Sequence, residues 1–398
     1  MYCYVNIIDK HLVHSAYNPM AAVYLDCNAT TPLEPRVKSV LLHFLDVDYG
    51  NEGSRTHEYG ARAKVAVQRA RDQVAALTGV SREEVIFTSG ATESNNIALL
   101  GLAEHGIQVN KRHIVATSIE HKAVLEPLEY LRRKGFEVTL VPVSKQGYVR
   151  PEDVMAAVRP DTLIVSVMQV NNETGVVQPL DQICDALKGH DAFLHTDAAQ
   201  GFGKDMATLL NKRIDLISIS GHKLYAPKGV GALVVRRRGS QRTPIATLTY
   251  GGGQERGIRP GTLPVPLIVA LGEAAKISAE EHAIRAEKCR GIKEAGLKAL
   301  TAIGGVPVGD QQHALPTTLN VLFPFVDSEA LIVRLQAIAA VSNGSACTSS
   351  SYKPSHVLQA MGMSDRDATR CIRFSWCHLT PDFDWADIAN CIKSLGLK

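Results

Sequence analysis

The stretch D-L-I-S-I-S-G-H-K-L-Y-A-P-K-G-V-G, residues 215–231, is the part of the sequence that decides the fold. Leu216–Ser220 is typical of a short buried strand, and Lys223 and Lys228 follow it among glycines. A single lysine at such a place is most often a solvated surface side chain. A lysine held in a dry pocket, however, has a lowered pKa and becomes a nucleophile. The rest of the sequence has to decide between these interpretations.

Strand-like and helix-like runs alternate on both sides of this stretch. Amphipathic helical runs separate the predicted strands, which are V-I-F-T (85–88), His113–Thr117, Glu137–Val143, Leu163–Met168, Ala192–Thr196, Leu216–Ser220 and Gly231–Arg236. Nearly continuous apolar strands are expected where both faces of a sheet are buried. The alternation therefore predicts the α/β class, with a mostly parallel, doubly wound sheet of seven strands.

The pattern changes after the three glycines at 251–253. A long helical run, Leu267–Leu300, leads into shorter strands and helices, which are typical of a smaller α+β unit. We therefore predict a large domain over residues 33–266, and a small domain made of residues 1–32 and 267–398.

Composition excludes several classes of protein. The 398 residues carry a formal net charge of +3, which gives no argument for binding to nucleic acid or to a membrane surface. No apolar run approaches the roughly 20 residues of a membrane span. Eight cysteines occur without a C-x-x-C pair, so neither a metal site nor a disulfide framework is expected. The N-terminus lacks the pattern of a signal peptide, and we expect a cytoplasmic protein.

Four polar clusters follow predicted strands directly. They are S-G-A-T-E-S-N-N after Thr88, N-N-E-T-G after Val170, T-D-A-A-Q-G after His195, and S-G-H-K after Ile219. Ligands of open α/β sheets bind beyond the carboxyl ends of the strands. Four clusters at one edge of one sheet therefore indicate one site.

Each group in these clusters has an ordinary interpretation as well as a functional one. Ser89 and Thr92 precede or begin a helix, and they could form an anion site or an ordinary N-cap. Asp197 would be a buried carboxylate that needs a cation, either an arginine or a protonated pyridine nitrogen. Together with Lys223, these groups are what a pyridoxal phosphate site needs: an anion cradle, a partner for the ring nitrogen and an amine.

The order of the motifs adds a family resemblance. The chain resembles the cysteine desulfurases of the NifS/IscS type, in the class-V aminotransferase family of fold-type I pyridoxal-phosphate enzymes. The resemblance runs from Y-L-D-C-N-A-T-T-P (24–32) to I-R-F-S (372–375). Between them lie S-G-A-T-E-S-N-N, E-H-K-A-V, V-N-N-E-T-G-V-V-Q, D-A-A-Q, S-G-H-K-x-Y-x-P-K-G, G-G-G-Q-E-R-G-x-R-x-G-T and N-G-S-A-C-T-S.

The resemblance implies a role for each of several residues around pyridoxal 5'-phosphate. Lys223, and not Lys228, would hold the cofactor covalently. His121 would stack on the ring and assist proton transfer, and Asp197 would pair with the ring nitrogen. Gln200 and Asn172 would lie near the ring hydroxyl or the substrate. The phosphate ligands would be Ala91, Thr92, Ser220 and His222, joined by Thr262 of a neighbouring subunit, which implies a homodimer.

The reaction follows, by the same resemblance, from two further residues. Arg373 would bind the carboxylate of L-cysteine, a task suited to its planar fork. Cys347 lies in the small, polar stretch V-S-N-G-S-A-C-T-S-S-S, where a thiolate could take sulfur from the substrate. The products would be L-alanine and a persulfide on Cys347, which would pass its sulfur to an acceptor protein.

Several alternatives stay open at this point. S-R-T-H-E-Y-G, residues 54–60, is most similar to desulfurases associated with DNA phosphorothioate modification, although iron–sulfur cluster assembly is also a possible destination. A selenocysteine lyase or a small-substrate aminotransferase could share the fold. An aminotransferase would not need Cys347 for its reaction. A further interpretation is that the chain is a sulfur-relay protein that acts mainly through complexes.

Overall fold

A computed structural model describes residues 22–344 and 354–396. The strands are β1 Val23–Tyr24, β2 Val85–Thr88, β3 His113–Thr117, β4 Glu137–Val141, β5 Thr162–Ser166, β6 Phe193–Asp197, β7 Leu216–Ser220, β8 Gly231–Val235, β9 Val306–Val308, β10 Thr318–Leu322, β11 Ala339–Ala340 and β12 Cys371–Ser375. The helices are α1 Pro35–Asp46, α2 Glu58–Ala76, α3 Ala91–Leu100, α4 Ala103–Gln108, α5 Lys122–Arg133, α6 Pro151–Ala157, α7 Leu180–Ala186, α8 Val265–Thr301, α9 Ser328–Leu335, α10 His356–Ala360, α11 Asp365–Ala368 and α12 Trp385–Gly396.

The central sheet has seven strands in the order β2-β8-β7-β6-β5-β3-β4. Strands β4, β3, β5, β6 and β7 pair in parallel, whereas β8 runs antiparallel to both of its neighbours, β7 and β2. The inner strands β3, β5, β6 and β7 are buried along their whole length, because helices cover both faces. The predicted fold class, a mostly parallel sheet of seven strands, is confirmed.

Helix α8 links the sheet to the C-terminal part of the chain. Its first half, from Val265 to about Ile277, packs into the core that covers one face of the sheet. Its second half contributes Cys289 and Leu300 to a separate core around Trp376 and Trp385. The domain boundary predicted near residue 266 falls in the first turn of this helix, and the division into two domains stays a prediction.

The smaller core is built on an antiparallel sheet, β12-β10-β9, and on the parallel pair β1-β11. Trp376 and Trp385 each donate their indole N–H to a carbonyl of α8, at 3.0 Å. A bridge between Asp26 and Ser375 brings the N-terminal segment alongside β12. Within the described part of the chain, no helix is both long and apolar enough to span a membrane.

Candidate active site

A cavity of about 570 Å³ lies at the carboxyl edge of the sheet. Its volume suits a cofactor with a small substrate. The structure brings together at this cavity ten of the residues predicted from the sequence: Ala91, Thr92, His121, Asn172, Asp197, Gln200, Ser220, His222, Lys223 and Arg373. The turns after β2, β3, β6 and β7 supply most of them, because parallel strands bring their carboxyl ends to one edge. Their individual roles stay predictions.

Asp197 ends β6 as a buried carboxylate whose side chain faces the cavity. Its Oδ1 accepts a hydrogen bond from the Ala199 N–H at 2.9 Å, and its Oδ2 accepts one from Asn95 Nδ2 at 2.7 Å. Among the residues that the structure describes, no lysine, arginine or histidine forms an ion pair with it. The arginine partner considered from the sequence is therefore not found there. A buried carboxylate in this position suits a cationic group of a ligand.

The start of helix α3 forms the end of the cavity that suits an anion. Gly90, with φ of 155°, adopts a backbone conformation that a side chain would disfavour, and α3 begins at the next residue, Ala91. The first residues of this ten-residue helix line this end of the cavity, and their N–H groups have no partner within the helix. Ser220 and His222 line the same cavity from the turn after β7.

Lys223 is half-buried in the turn that follows β7. Its Nζ donates hydrogen bonds to two main-chain carbonyls of the N-terminal segment, those of Asn28 and of Ala29, the latter at 2.7 Å. Gln200 Nε2 donates to the same Asn28 carbonyl at 2.9 Å. The amine is thus held by neutral acceptors inside the cavity. Lys228, by contrast, is exposed, although it also lines the cavity.

His121 caps the start of α5, where its Nδ1 accepts the Ala123 N–H at 3.0 Å. Burial lowers the pKa of His121, and the nearby Lys223 acts in the same direction, against the opposing effect of Asp197. The imidazole is therefore neutral at pH values at which an exposed histidine begins to take up a proton. A neutral imidazole can accept a proton from a substrate thiol.

Glu120, directly before His121, is completely buried. Its Oε1 accepts hydrogen bonds from Thr117 Oγ1 at 2.6 Å and from the Met168 N–H at 2.8 Å. Burial raises the pKa of Glu120 to about 8, so that its carboxyl is mostly protonated at neutral pH. The neutral carboxyl of Glu120 therefore adds no second negative charge near Asp197.

Arg373, in β12, reaches the cavity from the smaller core. Its Nη2 bonds to Asp26 Oδ1 at 2.7 Å and its Nη1 donates to the Asn172 carbonyl at 3.0 Å. Its Nε is buried and has no partner among the described residues. The guanidinium is therefore positioned by two contacts that leave other donors available for a carboxylate.

Of the predicted residues that the structure describes, Thr262 is the one that is not at this cavity. Thr262 is exposed and does not line the cavity of its own chain. The loop that leads to it is fixed at Glu255, which pairs with the buried Arg71, and at Arg259, whose Nε bonds to Glu93 at 2.9 Å. Cys347 lies outside the described residues.

Sequence reasoning missed four residues that shape the site: Asp26, Asn28, Asn95 and Glu120. Asp26 and Asn28 belong to the motif Y-L-D-C-N-A-T-T-P. They are two residues apart, and in an extended segment this spacing places both side chains on the same face, here the face toward the cavity. Asn95 lies one helical turn after Ala91 and so shares its face of α3. Nothing in the sequence indicates the burial of Glu120. Across residues 22–344 and 354–396, no cluster of three or more acidic, histidine or cysteine side chains could hold a metal ion.

The chain matches the family model described as "Aminotransferase class-V" over residues 23–384. The cysteine desulfurase IscS of an Escherichia coli O139:H28 strain is 45% identical over 363 residues, which cover 90% of this chain and 89% of that protein. The solved structure of DndA from Streptomyces lividans superposes with a TM-score of 0.79 at 50% identity, over 89% of this chain and 99% of that one. A structure described as "SspA in complex with cysteine" superposes with a TM-score of 0.78 at 36% identity, over 89% of this chain and 98% of that one.

These similarities place the chain in a defined class of proteins, the pyridoxal-phosphate-dependent enzymes of fold type I. Within that class, the chain belongs to the class-V aminotransferase family. The family and the cofactor predicted from the motifs are confirmed.

The residues at the cavity fit pyridoxal phosphate. Asp197 is a buried carboxylate with no cationic partner in the described chain, and it would hold the protonated ring nitrogen. The start of α3, Ser220 and His222 would hold the phosphate, and Lys223 would hold the aldehyde carbon.

Proposed function

We propose that this protein is a cysteine desulfurase, which converts L-cysteine to L-alanine and transfers the sulfur to Cys347. The observation that carries the proposal is the placement of Lys223, Arg373 and the buried carboxylate of Asp197 at one cavity. The similarity to IscS of Escherichia coli and to an SspA that was solved with cysteine supports L-cysteine as the substrate.

The chain's own residues divide the work of this reaction. When bound, pyridoxal phosphate supplies an electron sink for the charge that develops at the substrate Cα. Arg373 binds the substrate carboxylate, and Lys223 Nζ accepts the Cα proton. His121 accepts the proton of the substrate thiol, because burial keeps its imidazole neutral. The Cys347 thiolate then attacks the substrate sulfur, so that an S–S bond forms as the Cβ–S bond breaks and its electron pair stays with the carbon skeleton. The proton held by His121 returns to Cβ and the proton held by Lys223 returns to Cα, which completes L-alanine.

The same proposal includes the assembly and the destination of the sulfur. Thr262 is exposed at the end of an anchored loop, which is consistent with a reach into the site of a second copy in a homodimer. The persulfide passes its sulfur to an acceptor protein. The 50% identity to DndA supports DNA phosphorothioate modification as the destination, and the similarity to IscS supports iron–sulfur cluster assembly. We place the protein in the cytoplasm, where the free cysteines Cys184, Cys289 and Cys371 would stay reduced.

Replacing Cys347 by serine tests the reaction. We expect alanine release from L-cysteine under multiple turnover to fall on the order of 10²-fold or more, because serine is a poor acceptor of sulfur. The matched control is Cys391→Ser, at a partly exposed cysteine away from the cavity, which should change turnover by less than about twofold. Unchanged turnover in Cys347→Ser would favour the aminotransferase or lyase alternatives. A protein that stays colourless with added pyridoxal phosphate would favour a sulfur-relay role.

Replacing Asp197 by asparagine tests the partner of the ring nitrogen. The change keeps the size of the side chain and removes its charge, and we expect turnover to fall roughly 10²–10³-fold, as for other preorganised electrostatic groups. Asp205→Asn is the control, because Asp205 is also partly buried but does not line the cavity. The measurement is steady-state alanine formation, together with the visible absorbance of the bound cofactor. Equal activity of the two variants would contradict the assignment.

A further inference from the structure

Two cysteines face each other behind one wall of the cavity, and neither has a part in the proposed reaction. Cys27 follows β1, and Cys377 comes two residues after the end of β12. The Cys27 N–H donates to the Ser375 carbonyl at 3.0 Å, which holds the two segments side by side. Their side chains form one buried cluster with Tyr225, and their exposed fractions are 2% and 0%.

Cys377 contacts Thr380 as well as Cys27. Its Sγ accepts a hydrogen bond from Thr380 Oγ1 at 3.9 Å, and its N–H donates to the same Oγ1 at 3.0 Å. The interaction with Cys27 lowers the pKa of the Cys377 thiol and raises the pKa of the Cys27 thiol.

The charges around the pair favour a thiolate on Cys377. The titratable groups that act on the two sulfurs are Lys204, Asp26, Tyr24, Tyr225 and Cys289. Lys204, the cation of this set, favours the charged form of both sulfurs, whereas Asp26 opposes ionisation on the Cys27 side. A stabilised thiolate with a neutral thiol in contact is the arrangement from which disulfides form.

The other buried cysteines provide a contrast within the same chain. Cys184, Cys289 and Cys371 are as deeply buried as the pair. Burial raises the pKa of each of them to about 12. Depth alone therefore does not distinguish Cys377; its contacts with Cys27 and Thr380 do.

We propose that Cys27 and Cys377 form a redox-active dithiol, a site of oxidative modification that is separate from Cys347. The oxidant is a hydroperoxide. The Cys377 thiolate attacks one peroxide oxygen, which breaks the O–O bond and gives a sulfenic acid and hydroxide, or alkoxide from an organic peroxide. The Cys27 sulfur then displaces the hydroxyl of the sulfenic acid, which leaves as water after taking up a proton. The two thiols have lost two electrons and two protons, and the peroxide has been reduced.

The position of the pair links this chemistry to the cavity. Cys27 stands between Asp26 and Asn28, and both of these neighbours line the cavity. A disulfide would tie the segment that holds Lys223 through the Asn28 carbonyl to the strand that carries Arg373. The disulfide would therefore join the wall of the cavity that contacts Lys223 to the wall that carries Arg373.

The test is peroxide treatment of the full-length holoenzyme at pH 7, followed by alkylation, digestion without reductant and mass spectrometry. We expect a cross-linked peptide that contains Cys27 and Cys377, lighter by two hydrogen atoms than the sum of its parts, which disappears on reduction with dithiothreitol. Cys184, Cys289 and Cys371 serve as references of equal burial, and at least tenfold less of each should be oxidised. A cross-link no more abundant than pairs among these three would overturn the proposal.

Two variants assign the roles within the pair. In Cys27→Ser, the sulfenic acid at Cys377 has no resolving thiol and should be trapped by dimedone. In Cys377→Ser, labelling of Cys27 should be at least tenfold weaker. Equal labelling of the two variants would contradict the assignment of Cys377 as the attacking thiolate. If either variant fails to fold, the cross-link in the unmodified sequence still decides whether the dithiol exists.

Discussion

Replacing Lys223 by alanine is expected to lower alanine formation from L-cysteine by roughly 10³-fold or more, with the fold intact. The amine lies inside the cavity and is held by the carbonyls of Asn28 and Ala29. Without it, the chain has lost the group that would hold the cofactor covalently and the base that would take the Cα proton. The alanine variant should also lose the visible absorbance that depends on the covalent link.

Lys228 provides a matched control, because it belongs to the same motif and lines the same cavity. Its side chain is exposed, whereas Lys223 is half-buried. Lys228→Ala should therefore lower turnover by less than about tenfold. Circular dichroism and thermal melting of both variants would show that folding is unchanged. If Lys228→Ala lost activity while Lys223→Ala kept it, the assignment of the cofactor lysine would be wrong.

Replacing Arg71 by alanine is expected to lower the free energy of unfolding by about 3–5 kcal/mol. Arg71 forms two hydrogen bonds to the carboxylate of Glu255, at 2.8 and 2.6 Å, and both side chains are almost fully buried. Glu255 also accepts the Phe87 N–H at 2.7 Å. Removal of the arginine leaves a buried carboxylate without its cation, and this uncompensated charge is the main cost.

Arg82 is the control for this change. It forms a similar pair of hydrogen bonds with Asp72, at 2.7 and 2.6 Å, but both side chains are about half exposed. Arg82→Ala should cost at most about 1 kcal/mol, because an exposed pair loses little when water replaces the partner. The measurement is urea unfolding of both variants. Equal costs would show that burial does not control the strength of the Arg71–Glu255 pair.

Arg71→Ala also tests the proposed dimer. Glu255 and its neighbour Arg256 have positive φ angles, of 46° and 60°, which non-glycine residues rarely adopt. The buried pair therefore holds a strained turn in the loop that ends near Thr262. We expect sedimentation to show weaker dimer formation by Arg71→Ala than by Arg82→Ala at equal protein concentration.

The fold could be predicted because its signal is local. β2, β3 and β7 have the bounds predicted from their apolar runs, and most other elements differ by one or two residues at an end. Helix α1, Pro35–Asp46, was not predicted, because it lies before the first strand of the alternating pattern.

The candidate site could be predicted only where a motif places its own residues beside a strand end. Asp197 is the last residue of β6, and Lys223 and Thr92 lie within four residues of the ends of β7 and β2, so the topology alone brings them to one edge. The contact between Asp26 and Arg373 joins residues 347 positions apart, and no local pattern encodes it. The burial that raises the pKa of Glu120 likewise depends on packing from several elements.

By itself, the sequence determined the α/β class, the cofactor chemistry and the side chains that gather at the sheet edge. Each of these depends on short-range periodicity, on composition or on a motif of neighbouring residues. Only the tertiary structure decided that Asp197 forms no ion pair within the described chain, that the Asn28 carbonyl accepts from Lys223, and that Cys27 packs with Cys377. Such facts depend on which distant segments are packed together and how far water is excluded between them. Burial and long-range contact are properties of the folded chain as a whole.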